Sequence, residues 1–90
     1  MLPFISRGPS REWIRIMQRE YRALADAVEA GKPTLIHPYG ATNATEFFAV
    51  VTEHFFAQPR ALQAAHPDLY QQLRVFYRLD PAGWPLAGAA

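Results

Sequence analysis

The sequence has no cysteine. That excludes a disulfide framework and any thiolate metal site, so a bound metal would need histidine or carboxylate ligands. Histidine is itself scarce, at His37, His54 and His66 only. None of these stands four residues from another, so the HExxH arrangement, which sets two imidazoles on one helix face, is absent. Charge of one sign is lacking too. Nine basic and eight acidic residues leave a net charge of +1, too little to suggest a nucleic-acid binder or a polybasic membrane anchor. No apolar run nears the roughly 20 residues of a membrane span. The start, Met1-Leu2-Pro3-Phe4, lacks the basic-then-apolar order of a secretory signal. The expected setting is cytoplasmic, with no membrane and no direct nucleic-acid partner.

What is present is apolar. Half of the 90 residues are hydrophobic, which argues for one folded domain at most. Residues 1–9 read as an irregular lead-in, with Pro3, Gly8 and Pro9 as breakers. Ser10 suits an N-cap, and Trp13, Ile14, Met17, Tyr21, Leu24 and Val28 recur at three- and four-residue steps. The spacing predicts a helix to about Ala30, closed by Gly31 in the left-handed region and stopped by Pro33. Its arginines, Arg11, Arg15, Arg19 and Arg22, are interspersed with Glu12, Glu20, Asp26 and Glu29, which reads as a solvated face. Residues 34–37 read as an extended connector, and Tyr39 and Gly40 as a loop.

A second helix is predicted from Asn43, whose side chain can cap it with Glu46 three residues on. Phe47, Phe48, Val50, Val51, Phe55 and Phe56 make it too apolar for a one-sided surface helix, so it should be central. A short helical turn follows over residues 59–65. Pro67 suits the first position of a last helix, with His66 as its cap and Leu69, Leu73, Phe76 and Tyr77 on one face. The expected fold is all-α: three main helices over residues 1–81 and a loose, flexible tail over residues 82–90.

The segment YGATNATEFFAVVTEHFF, residues 39–56, resembles the Mlc titration factor A family of zinc-dependent metallopeptidases. The resemblance continues through Pro59, Leu62, Pro67, Leu69, Tyr70, Leu73, Phe76 and Tyr77 to Asp80 and Pro81. Residues 10–38 fit only as the helical stretch that would precede it. The resemblance implies the C-terminal helical part of a zincin-like peptidase, acting on a peptide or protein substrate. In that family zinc is held by two histidines of an HExxH helix and by a later glutamate, which here matches Glu46. Tyr39 matches a tyrosine that stabilises the oxyanion formed when water attacks the peptide carbonyl. Family members are also linked to binding the repressor Mlc, so a transcriptional repressor is a further implied partner.

Glu53 follows Glu46 by seven residues, within about 20° of the same helix face. It is a candidate either to orient a zinc-bound histidine or to serve as a structural helix carboxylate. Without HExxH, both histidine ligands and the general-base glutamate are missing, and one carboxylate makes no zinc site. The expectation is zinc in the complete enzyme but none held tightly by this chain, which reads as a fragment inactive alone. The other reading is a short relative that keeps the packing without the chemistry. Retention of Tyr39 and Glu46 favours the fragment.

Overall fold

The computed structural model describes residues 10–85. The expected lead-in and the end of the expected tail fall on residues outside that range. Helix α1, Arg11–Glu29, starts where the sequence supplies a cap: the Ser10 hydroxyl accepts from the Trp13 N–H at 3.1 Å. It ends in a Schellman turn. Gly31, at φ +70°, lets its own N–H reach Val28 O and the Lys32 N–H reach Ala27 O. A connector without strand pairing leads to a 3-10 turn, Pro38–Ala41. Helix α2, Ala44–Ala57, is capped by Asn43, whose Oδ1 accepts the Glu46 N–H at 2.8 Å. Helix α3, Pro59–Ala65, and helix α4, Pro67–Tyr77, each begin on a proline, where the missing N–H costs no helical bond. A second 3-10 turn, Pro81–Gly83, follows.

The described residues are therefore all-α: four helices, two 3-10 turns and no strand. None of the helices is long and apolar enough to cross a membrane. Ile16, Leu24, Ile36, Phe47, Val50, Val51, Phe55, Leu62, Leu69, Tyr70 and Leu73 form the core. Each large apolar side chain buried there contributes about 1.5–3 kcal/mol. Helix α2 sits centrally as predicted, yet Phe56 at its far end stays 41% exposed.

The buried stripe of α1 differs from the predicted one. Ile16 and Glu20 are buried, whereas Ile14 and Val28 face outward. Residues 16, 20 and 24 are spaced by four and share a face, and the acidic member hid that stripe from hydropathy. The start of the expected loose tail is also tied down. Tyr70 donates its hydroxyl hydrogen to Asp80 Oδ1 and accepts the Ala82 N–H at 2.9 Å. Arg60 donates to Ala82 O and Trp84 O at 3.0 and 2.9 Å. Burial, followed by the hydrogen bond to Asp80, pushes the Tyr70 phenol above its ordinary value.

Tyr70→Phe leaves the Ala82 N–H and the Asp80 carboxylate without their shared partner. Urea unfolding should show a loss of about 1–2 kcal/mol, with the helical content of the folded state unchanged.

Candidate functional site

Gly40 is the point on which the site is built. The Pro38–Ala41 turn lies between α1 and α2. A Cβ on Gly40 would stand 3.1 Å from Leu24 Cδ2 on α1 and 3.4 Å from Val50 Cβ on α2. Glycine allows that approach without displacing Leu24, whereas a Cβ would require Leu24 Cδ2 to give by a few tenths of an ångström. Tyr21 of α1 adds a hydrogen bond from its hydroxyl to Ala41 O at 3.2 Å and packs edge-on against Phe47.

Tyr39 therefore sits on a braced turn, with 54% of its surface exposed. It borders an open cleft of about 570 Å³ together with His37, Val50, Glu53, His54, Ala57 and Gln58. Two backbone-to-imidazole bonds close the cleft's inner edge. The His37 N–H donates to His54 Nε2 at 3.1 Å, and the Tyr39 N–H donates to His37 Nδ1 at 3.0 Å. An imidazole nitrogen that accepts carries no proton, so His54 has its hydrogen on Nδ1 and donates it to Gln58 Oε1 at 3.0 Å.

Glu46 lies in the first turn of α2, half-buried and outside the group that lines the cleft. Its backbone N–H is capped by Asn43. Its carboxylate has no hydrogen-bond or ion-pair partner among the described residues. The reciprocal half of a capping box, carboxylate to the Asn43 N–H, is thus not formed. Glu53 is two turns further on, about 10 Å along the axis, and exposed in the cleft beside Tyr39. The structure brings Tyr39 and Glu53 to one cleft and leaves Glu46 beyond it.

The donor set decides what metal chemistry this chain can support. Both ring nitrogens of His54 are engaged, and His66 Nδ1 is taken by Glu20. Among the described residues no three of His, Asp and Glu gather to hold a metal ion. The residues present do not fit a zinc centre on their own.

A second polar cluster joins α1 to the start of α4. Glu20 takes His66 Nδ1 at 2.8 Å and Arg19 at 2.9 Å, and Arg19 also reaches Asp68 at 3.2 Å. His66 occupies the N-cap position of α4 as expected, but its ring turns to Glu20 and makes no cap bond. The His66 hydrogen bond, and next the Arg19 bond, hold the Glu20 carboxyl below its usual value against the opposing effect of burial. Glu20 was read from sequence as part of a solvated face. No local signal marks it as buried, because its partner His66 is 46 residues away.

With this geometry in view, sequence comparison supplies the lineage. The family described as glucose-regulated metallo-peptidase M90 matches residues 2–78, and the chain belongs to that family. An uncharacterized protein of Synechocystis sp. is 49% identical over 75 residues, which is 83% of this chain and 27% of the relative. Mlc titration factor A of Pectobacterium atrosepticum is 46% identical over 44 residues, 49% of this chain and 17% of that protein. Mlc titration factor A of Yersinia pestis is 46% identical over 43 residues, 48% of this chain and 16% of that protein. The chain thus spans only 16% to 27% of the length of these curated relatives. The family match reaches back through α1, well beyond the last half in which the resemblance was legible. No solved structure gives a significant match.

Two outcomes follow from the geometry. Gly40→Ala should lower stability by no more than about 1 kcal/mol in chemical denaturation, because only Leu24 Cδ2 must give way slightly to admit the methyl group. Glu20 sets an acid limit. Its folded-state pKa is depressed, so its stabilisation is complete above the ordinary carboxylate value of about 4.5 and is lost as pH falls below it. Melting temperatures taken from pH 6 to pH 3 should fall more steeply for the wild type than for Glu20→Gln.

Proposed function

We propose that this chain is the C-terminal part of an M90 zinc peptidase domain. It contributes Glu46 as a metal ligand and Tyr39 as oxyanion donor to a site that hydrolyses peptide bonds in the complete enzyme. The observation that carries this reading is Glu46 itself: a carboxylate without a partner among the described residues, on the first turn of a capped helix, inside the family match. A ligand carried on a helix is held more firmly than one on a loop. The exposed phenol of Tyr39 is free to donate to charge developing on a substrate carbonyl oxygen. The two histidines that would complete the metal's coordination, and the general base, belong to an HExxH helix that this sequence does not contain. The chain by itself is accordingly inactive. Glu53, in the Tyr39 cleft, is proposed to steady one of those histidines.

A second reading is a non-catalytic module that binds a transcriptional repressor. The name Mlc titration factor A, borne by two of the relatives, favours it. Exposed apolar side chains at Ile14, Val75 and Phe76 would suit a protein partner.

Zinc titrated into the purified chain should give a flat calorimetric trace. Joined to an HExxH-bearing segment of an M90 relative, the chain should bind one zinc and cleave a test peptide, and Glu46→Gln should remove both properties. Stoichiometric zinc binding and peptidase activity in the chain alone would overturn the incomplete-site reading. Zinc binding in the joined protein that survives Glu46→Gln would overturn the ligand assignment. Repressor binding unaffected by Glu46→Gln, with no hydrolysis under any condition, would favour the second reading.

A further inference from the structure

Three features of the Tyr39 turn are left unexplained by the site as the family pattern describes it. His54 comes from the third turn of α2 and aims an unprotonated Nε2 at the backbone of His37. His37 in turn spends its Nδ1 on the backbone of Tyr39. Gln58, one turn beyond His54, takes the ring hydrogen that His54 must then carry on Nδ1. The result is a chain of hydrogen bonds from the end of α2 to the Tyr39 amide. Gly40 packs the same turn against Leu24 and Val50.

We propose that His54 is a positioning residue for Tyr39. Acting through His37, it clasps the Tyr39-bearing turn onto α2, and the clasp holds only while both imidazoles are neutral. A protonated imidazole has N–H donors at both positions and can accept nothing. Protonating His54 would set Nε2–H against the His37 N–H. Protonating His37 would set Nδ1–H against the Tyr39 N–H. Either event removes an acceptor that holds the turn, and so releases it. Among the described residues, the other titratable groups lining the cleft are Glu53, on the same helix as His54, and Tyr39 itself, and no lysine or arginine lines it. The proposal rests on the reading of Tyr39 as oxyanion donor only for its functional consequence. The clasp itself is a property of this chain.

The test uses the full 90-residue chain. Amide exchange and chemical shifts of His37 and Tyr39 are followed by nuclear magnetic resonance from pH 8 to pH 5. Both amide shifts should move with the titrating imidazole signals of His54 and His37. Flat amide shifts across those titrations would overturn the clasp, and this arm needs no mutation. His54→Leu should speed exchange of the His37 amide about fivefold, the effect of losing one ordinary hydrogen bond. His54→Gln, whose Oε1 can still accept, should restore protection and remove the His54 part of the pH dependence. Unchanged exchange in a folded His54→Leu chain would also overturn it. In a protein completed with an HExxH-bearing segment, His54→Leu should lower kcat with KM held, and His54→Gln should recover it. A clasp that passes the exchange tests while Tyr39→Phe leaves hydrolysis unchanged would sink the oxyanion role alone.

Discussion

The close approach of the Pro38–Ala41 turn to two helices is the constraint on which the rest of this structure depends. Leu24 of α1 and Val50 of α2 both pack against Gly40, at 3.1 and 3.4 Å from where a Cβ would stand. That contact joins the first half of the chain to the second. It sets where α2 begins, because Asn43 must cap the helix two residues after the turn ends. It also sets the direction in which Tyr39 leaves the backbone. The turn carrying the exposed Tyr39 phenol is thereby held both by packing and by imidazole hydrogen bonds.

Helix α2 carries two different tasks along one element. Its inner side, through Phe47, Val51 and Phe55, is core. Its first turn presents Glu46 without a partner among the described residues, and its later turns present Glu53 and His54 to the Tyr39 cleft. Among the described residues, the Glu46 carboxylate forms neither an ion pair nor the second half of a capping box, so it gives little to stability there. The chain belongs to the M90 family, and the relatives it matches are about four to six times the length of the matched segment. The aromatic groups Trp13, Phe48, Phe76 and Tyr77 pack on one another at centroid distances of 4.9 to 6.5 Å, while Phe76 remains largely exposed.

The α4 end of the molecule is held by polar contacts. Tyr70 is buried, and its hydroxyl binds both Asp80 and the Ala82 amide, so the chain after α4 turns back over the helix end. Glu20 and His66 fasten the start of α4 to α1. A buried carboxylate is tolerated there because two partners, a ring N–H and a guanidinium, replace the water it loses. Such a cluster does not read as core by composition, although it occupies a core position on α1.

The sequence by itself determined the local structure and the lineage. Ser10, Gly31, Asn43 and Pro67 mark helix ends through bonds or φ values that involve residues within four positions, and each stands where it was read. The motif from Tyr39 to Phe56 was enough to reach the M90 family, and the absence of HExxH was enough to expect an incomplete site. Tertiary structure alone decided what depends on distant partners. The burial of Glu20 needs His66, 46 residues on; the Tyr39 clasp needs His54, 17 residues from His37; and the turn after α4 needs Arg60, 22 and 24 residues from its acceptors. Hydropathy and helical period carry no record of such pairs, because a polar side chain reads the same whether water or a distant residue satisfies it.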